Sequence, residues 1–145
     1  MQVNSRFVAF VTGGGGGLGS AVVKRLHQLG AKVAVSEFDD GYMEKLLEDI
    51  GPSDSILPIK CDVRSESEVA SAISQTVDTF GALHAAIPCA GIVTATPFTL
   101  DRSWDMDIFK ETLDVNVMGT VYVAMHAALA MAKNEPTDRG ERCKH

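Results

Sequence analysis

The sequence predicts an α/β fold, in which a parallel sheet is doubly wound with helices on both faces. Short apolar segments rich in β-branched residues alternate with longer segments whose apolar residues recur at helical spacing. The order is β-α-β-α-β-α-β-α, and strands that alternate with helices form parallel sheets. Right-handed crossovers then give four strands in the spatial order 3-2-1-4.

The first half of the chain contains two strands and two helices. Residues 6–11 form a strand that is apolar on both faces, as a strand buried inside a sheet is. The helix after it is indicated by apolar residues at helical spacing: Leu18, Val22, Leu26 and Leu29. Residues 32–36 form the second strand. The next helix is expected to begin at Asp40 as its N-cap and to bury one apolar face: Met43, Leu46, Leu47 and Ile50.

The third strand, residues 55–62, contains Pro58, which cannot donate to a ladder and therefore belongs at a sheet edge. Ser65 and Glu68 have the spacing of a capping box, which predicts the start of the third helix. Its apolar face is expected to consist of Val69, Ile73, Val77 and Phe80.

The fourth strand, residues 83–91, runs into a turn, and a polar loop with Pro97 covers residues 92–106. A long helix is expected from about Asp107 to near Lys133, with one apolar face: Phe109, Leu113, Val117, Val121 and Ala128. Residues 134–145 have no periodicity and are expected to form an irregular tail. The length favours one domain over residues 1–145.

Composition narrows the class of partner. The net charge of −6 argues against nucleic acid or an anionic membrane surface as the main partner. The longest apolar stretch near the end has 12 residues, too few to cross a bilayer, and no secretory signal is visible. Three widely spaced cysteines do not suggest a disulfide framework, and no metal site is indicated. A reducing compartment, cytoplasmic or mitochondrial matrix, is therefore expected.

Five consecutive glycines, residues 13–17, join the first strand to the first helix. This is the position of a dinucleotide-binding turn in a Rossmann-type sheet, where glycine lets the backbone approach a pyrophosphate at a helix N-terminus. Low-complexity flexibility is the alternative interpretation of such a run. Within the run and just after it, Gly13, Gly17 and Gly19 are expected to shape the turn, whereas Gly14, Gly15 and Gly16 are expected to fill the gap.

Glu37, 18 residues after Gly19, ends the second strand. An acid about 20 residues beyond the turn accepts hydrogen bonds from the adenosine ribose. The same carboxylate repels a 2′-phosphate by about 4 kcal/mol at 4 Å and an effective dielectric of about 20. No Lys or Arg lies in the loop or immediately after Glu37, so NAD is predicted over NADP.

Four short motifs resemble those of the short-chain dehydrogenase/reductase family, and they occur in the family's order and at its spacing. They are the T-G-x-x-x-G-x-G turn, "CDV" at 61–63, "PCAG" at 88–91 and "DVNVMGT" at 114–120. The resemblance implies a dinucleotide cofactor held by the following residues: Thr12, Gly13, Gly17, Leu18, Gly19, Glu37, Asp62, Val63, Cys89, Ala90 and Gly91. Asp62 would contact the adenine ring.

"GGGGGLG", "CAGI", "LDVNVMGT" and "NEPTDRGER" also look like the family's 3-hydroxyacyl-CoA dehydrogenase branch. That resemblance implies NAD-dependent oxidation of a secondary alcohol, either the 3-hydroxyl of an acyl-CoA or a steroid alcohol.

The chain departs from the family pattern in two places. Pro88 stands where the family has asparagine, which removes an amide side chain and a backbone N–H from the turn. The family's catalytic serine and Tyr-x-x-x-Lys would follow a fifth strand, but Leu46 and His126 stand four residues after Tyr42 and Tyr122. Asn116 would have only a secondary catalytic role, through water, and a helix residue bonding the backbone is the alternative.

These departures predict a sheet truncated after about four strands, the half of the domain that holds the cofactor. The 145 residues alone are expected to be inactive, and substrate would bind only with the missing half. Two other outcomes stay open: a dinucleotide-binding fragment without turnover, and a chain that associates with itself through the edge of strand four. A homo-oligomer is expected.

Overall fold

The computed structural model describes residues 2–94 and 106–136. One parallel sheet has the order β3-β2-β1-β4, which confirms the predicted fold class and strand order. The strands are β1 (Val8–Thr12), β2 (Lys32–Glu37), β3 (Ile56–Lys60) and β4 (Ala85–Pro88). The helices are α1 (Gly17–Gln28), α2 (Asp40–Ile50), α3 (Glu66–Phe80), α4 (Met106–Leu113) and α5 (Gly119–Met131). A π-helical segment, Asp114–Met118, joins α4 to α5.

Helices cover both faces of the sheet because side chains alternate along each strand. On one face, Ala9 and Val11 belong to the core that α1 and α2 complete. On the other face, Phe10 packs with residues of α3 and α5: Val69, Ala72, Ile73, Val123, Ala127 and Met131. All five residues of β1 are buried, which confirms that this strand is apolar on both faces because it is central. Pro58 is exposed on β3 at the edge of the sheet, as predicted.

The caps of two helices differ in detail from the sequence pattern. Asp39, and not Asp40, is the N-cap of α2, and its carboxylate accepts a hydrogen bond from the Tyr42 N–H at 3.1 Å. Ser65 caps α3 through the Glu68 N–H at 3.3 Å, but the Glu68 carboxylate accepts from the Asp62 N–H instead of returning to Ser65. The expected capping box is therefore half formed.

We expect Asp39→Ala to lower the free energy of unfolding by about 1 kcal/mol, because the first turn of α2 loses its side-chain acceptor. Asp40→Ala removes only an exposed ion pair with Lys60, and such pairs contribute about 0–1 kcal/mol. Urea unfolding of both variants measures the difference. Equal losses, or a larger loss for Asp40→Ala, would contradict the assignment of the cap.

The apolar face predicted for the long helix lies on its exposed side. Its five residues, Phe109, Leu113, Val117, Val121 and Ala128, are all exposed, and the buried positions of α5 are Gly119, Val123, Ala127 and Met131. The helix is apolar on several sides, so periodicity alone does not identify the buried one. The π-helical segment also adds a residue to a turn, which rotates everything that follows it.

By length and composition, the continuous helix Met106–Met131 is long and apolar enough to cross a membrane. The sequence alone did not predict this, because its longest uninterrupted apolar stretch near the end has only 12 residues. Core helices of soluble proteins pass the same test, so it is weak evidence of a span. Here one side of α5 packs against α3 and β4.

His84 lies just before β4 and joins it to β1. Its Nδ1 accepts a hydrogen bond from the Val8 N–H at 3.0 Å, and its ring stacks on Phe7 with centroids 5.8 Å apart. Burial lowers the pKa of His84 from its ordinary value of 6.5.

Because the unfolded chain binds this proton more tightly than the folded chain, the stabilisation is complete above about pH 6.5 and is lost as pH falls through the folded-state pKa. We expect the free energy of unfolding to drop between pH 7.5 and 5, and to drop less in His84→Phe. Urea titrations at both pH values measure this, with His126→Gln as the control. An identical pH dependence in His84→Phe and wild type would rule out His84 as the cause.

Two predictions fall largely outside the described residues. The polar loop 92–106 is described only at residues 92–94 and 106, and Pro97 is not among these. The tail 134–145 is described only to Pro136, and those three residues are not helical or extended.

Candidate functional site

A cavity of about 490 Å³ lies where the carboxyl ends of the four strands meet α1 and α4. Ten of the eleven residues predicted to bind a cofactor line it: Gly13, Gly17, Leu18, Gly19, Glu37, Asp62, Val63, Cys89, Ala90 and Gly91. Four separate segments of the sequence therefore meet at one place.

Thr12 is the eleventh residue, and it lies behind the cavity wall. It is 1% exposed, and its hydroxyl accepts a hydrogen bond from the Ala90 N–H at 3.3 Å. Its carbonyl oxygen accepts from the Cys89 N–H at 3.1 Å. Thr12 thus fixes the turn after β4 against the turn after β1.

The same contacts explain how the fold accommodates Pro88. The His84 N–H donates to the Val8 carbonyl. Because every second residue of β4 bonds to β1, the N–H of residue 88 would be the regular donor to the Thr12 carbonyl. Proline has no N–H, and Cys89 N–H donates to Thr12 instead. The N–H that Pro88 lacks is therefore one that would face β1. The N–H and C=O groups of Ala85 and Ile87 face the opposite edge of β4, so that edge loses no donor.

The glycine turn is shaped by close approaches. Gly13 has φ +61°, and a Cβ there would lie 2.7 Å from the backbone of Ala90. A Cβ on Gly19 would press into the Gly13 carbonyl, far inside van der Waals contact. These two glycines hold the start of α1 against the ends of β1 and β4.

Gly14 and Gly15 are required as well, so the expectation that they fill a gap is wrong. A Cβ on Gly14 would lie 2.5 Å from Val35 Cγ1, and one on Gly15 would lie 2.7 Å from the Tyr42 backbone. Of the three glycines expected to fill the gap, only Gly16 has room for a Cβ, whose closest neighbour would be the Gly13 carbonyl oxygen at 3.4 Å. The run is dense in glycine because the loop is packed between β2 and α2.

Gly17 differs from its neighbours because a Cβ there would meet no atom within 4 Å. It is the first residue of α1, whose N-cap, Gly16, provides no side-chain acceptor. The first N–H groups of a helix attract anions, and here the space in front of them is open. This cradle fits the pyrophosphate of a dinucleotide.

The Glu37 carboxylate is held by three backbone amides. Oε2 accepts from the Gly15 N–H at 3.0 Å, and Oε1 accepts from Phe38 at 2.9 Å and Asp39 at 3.2 Å. A carboxylate has about four lone-pair sites, so about one remains for a ligand hydroxyl, on Oε2. Glu37 therefore both shapes the loop and faces the cavity.

Asp62, two residues beyond β3, also lines the cavity. The Arg64 guanidinium, through Nε and Nη2 at 2.9 and 2.6 Å from Oδ2, holds the pKa of Asp62 below its usual range. Burial raises the pKa of the Cys89 thiol, which argues against a reactive thiolate on the adjoining wall. Among residues 2–94 and 106–136, no three His, Cys, Asp or Glu side chains meet as a metal site requires.

Asn116 lies in the π-helical segment and does not line the cavity. Its Oδ1 accepts from the Ile92 N–H and its Nδ2 donates to the Ile92 carbonyl, both at 2.9 Å. Thr120 Oγ1 donates to the Asn116 carbonyl at 2.9 Å. Asn116 therefore bonds the backbone of Ile92, a residue of the cavity wall, as the alternative interpretation expects.

The cavity also includes residues that the sequence patterns did not single out: Gly16, Phe38, Asp39, Tyr42, Cys61, Arg64, Ile92, Glu111 and Val115. Most of them lie one or two positions from a predicted residue in the sequence, so extending each motif by one or two positions would have predicted them. Glu111 and Val115 come from α4 and the π-helical segment, and only the fold brings them to this wall.

Residues 7–138 match the family model described as short chain dehydrogenase. The 3-hydroxyacyl-CoA dehydrogenase type-2 of Drosophila melanogaster is 32% identical over 93% of this chain and 53% of its own length. A (+)-borneol dehydrogenase 2 of Salvia officinalis is 36% identical over 86% of this chain and 44% of its own length. The chain thus spans about half the length of these curated relatives.

A solved structure, the 3-hydroxyacyl-CoA dehydrogenase type-2 of Mycobacterium avium, superposes with a TM-score of 0.85 and 30% identity. The match covers 99% of this chain and 56% of that one. With the family model matched over nearly the whole sequence, the chain belongs to the short-chain dehydrogenase family.

Proposed function

We propose that the chain is the NAD-binding half of a dehydrogenase that oxidises a secondary alcohol, of 3-hydroxyacyl-CoA or steroid type. The observation that carries the proposal is the single cavity shared by the open N-terminus of α1, Glu37 and Asp62. The first two groups suit a pyrophosphate and a ribose, and the family resemblance places the adenine against Asp62. The hydroxyacyl-CoA class is supported by the names of relatives and by no contact in the cavity.

The preference for NAD is supported by the Glu37 carboxylate. Three amides fix it in place, so it cannot easily turn away from a 2′-phosphate. Arg64, a cation in the cavity wall, forms its ion pairs with Asp62 and Glu111 and not with Glu37.

Bound NAD would supply the hydride acceptor, and these residues would hold its adenosine and phosphate groups. Proton removal from the alcohol needs a base, which the family supplies from Tyr-x-x-x-Lys, and these 145 residues contain no such motif. Tyr42 lines the cavity beside the glycine turn, while Tyr122 packs against the core on α5. We therefore expect binding without turnover.

Calorimetric titration of the 145-residue chain with NAD and NADP tests the proposal, with a turnover assay on NAD and a 3-hydroxyacyl-CoA in parallel. The expected results are NAD binding, weaker NADP binding and no turnover. Tighter NADP binding would contradict the NAD preference, and no binding of either would contradict the cofactor role. Turnover by these residues alone would contradict the predicted inactivity.

Self-association is a second candidate property, and an exposed apolar stripe favours it. Phe109, Leu113, Val117, Val121, Met125 and Leu129 recur every four residues, and each is 42–64% exposed. The outer edge of β4 also has no partner strand within the described residues. Sedimentation over a range of concentrations tests this property, and a monomer at every concentration would contradict it.

A further inference from the structure

We propose that Arg64 is a positioning residue that ties the adenine-side wall of the cavity to α4. This inference rests on the proposed dinucleotide site. Arg64 follows Asp62 and Val63 in the loop between β3 and α3, and its guanidinium contacts Asp62 in this loop, Glu111 of α4 and Phe38 just after β2.

The first contact is with Asp62. Arg64 Nε donates to both carboxylate oxygens at 3.0 and 2.9 Å, Nη2 donates to Oδ2 at 2.6 Å, and the Arg64 N–H donates to Oδ1 at 3.0 Å. A bidentate pair fixes orientation as well as distance. The carboxylate is thereby held in one rotamer, facing the cavity that it lines.

The second contact is with Glu111 of α4, where Arg64 Nη1 donates to Oε1 at 2.8 Å. These two residues are 47 positions apart in sequence, so the bond closes a long loop of chain. The third contact is with Phe38, whose ring centroid lies 5.7 Å from Arg64 Cζ, within range of a cation–π interaction. Phe38 follows Glu37 at the end of β2.

The positive charge of Arg64 has a second role in the cavity. The described residues that line the cavity include four carboxylates, Glu37, Asp39, Asp62 and Glu111, and a single Lys or Arg, which is Arg64. A diphosphate would enter beside these acids, so the guanidinium offsets part of their repulsion. Arg64 is 38% exposed, and this leaves its remaining N–H groups accessible to solvent.

Lysine cannot replace arginine here. A lysine ammonium is a point charge on a flexible stem and lacks the planar fork that bonds two carboxylates at once. Arg64→Lys therefore separates the two roles: it retains the charge and loses the bridge. Arg64→Gln removes both.

Calorimetry with NAD, AMP and inorganic pyrophosphate tests the inference on the 145-residue chain. We expect Arg64→Gln to weaken the binding of NAD and of AMP about tenfold, since the positive charge and the geometry of the cavity wall are lost together. For Arg64→Lys we expect the affinity for AMP to fall about threefold. Pyrophosphate, which the glycine turn holds, should bind as in wild type. Glu111→Gln should reproduce the effect of Arg64→Lys on AMP.

Two controls accompany these variants. Arg25→Gln makes the same charge change on the exposed side of α1, and Asp107→Asn removes a carboxylate one turn before Glu111; neither lines the cavity. Urea unfolding is measured on every variant, and we expect the midpoint of Arg64→Lys to match wild type.

The outcomes separate this inference from the proposed function. A wild-type chain that binds none of the three ligands contradicts both. Wild-type binding with AMP affinity unchanged in Arg64→Gln contradicts the positioning role alone. An equal loss of AMP and pyrophosphate in Arg64→Lys would show a general weakening of the fold and would also contradict it.

Discussion

Replacing Gly19 with alanine is expected to lower the free energy of unfolding by about 3 kcal/mol, the upper end of the cost of overpacking. The added methyl group would press into the Gly13 carbonyl and lie 2.8–2.9 Å from two further backbone atoms of the turn. Backbone cannot rotate aside as a flexible side chain does, so β1 and α1 would have to separate. Urea or thermal unfolding measures the loss.

Gly17→Ala is the matched comparison, two residues earlier in the same helix turn. Its methyl group would meet no atom within 4 Å, on a residue that lines the cavity at the start of α1. We expect its free energy of unfolding to stay within about 0.5 kcal/mol of wild type, while NAD binding is lost or weakened at least tenfold. If Gly19→Ala folded as stably as Gly17→Ala, the close packing of the turn would be disproved.

Replacing Glu37 with serine is expected to reverse the cofactor preference. The substitution removes a charge that repels a 2′-phosphate by about 4 kcal/mol at 4 Å, equivalent to about a thousandfold in relative affinity. It also releases the N–H groups of Gly15, Phe38 and Asp39, which would then be free to donate to an anion. NAD should weaken at the same time, because the ribose loses its acceptor.

The ratio of the NAD and NADP dissociation constants, measured by titration, is the readout. Glu37→Gln is expected to shift the ratio less than Glu37→Ser, since its amide oxygen still accepts from part of the three-amide cluster. Glu48→Ser, on the exposed side of α2, controls for the loss of a carboxylate elsewhere. A Glu37→Ser ratio equal to that of Glu48→Ser would be incompatible with the role given to Glu37.

Sequence patterns predicted the strand order because crossovers of parallel strands leave few arrangements, and Pro58 independently placed β3 at an edge. They also located one side of the cavity, because Glu37 ends β2 and Asp62 lies two residues beyond β3, and the ends of these strands meet there. Arg64 and Glu111 were missed because they meet only through folding, and nothing local relates residues so far apart.

The errors have equally local causes. Asp39 and Asp40 are adjacent, so a sequence rule cannot choose between them as the cap of α2. The apolar face predicted for the last helix is not its buried side, because the helix is apolar on several sides and because a π-helical turn changes its register. The tight packing around Gly14 and Gly15 depends on Val35 and Tyr42, which the glycine run itself does not reveal.

The π-helical segment limits how this region can change in length. Deleting one residue from Asp114–Met118 would restore a regular helix and turn α5 by about 100° about its axis. Gly119, where a Cβ would lie 2.8 Å from Val63 Cγ2, would be carried away from Val63, and a residue of the exposed stripe would turn towards the core. Single-residue insertions and deletions here would thus change which side of the helix meets the core, whereas ordinary substitutions would leave that side in place.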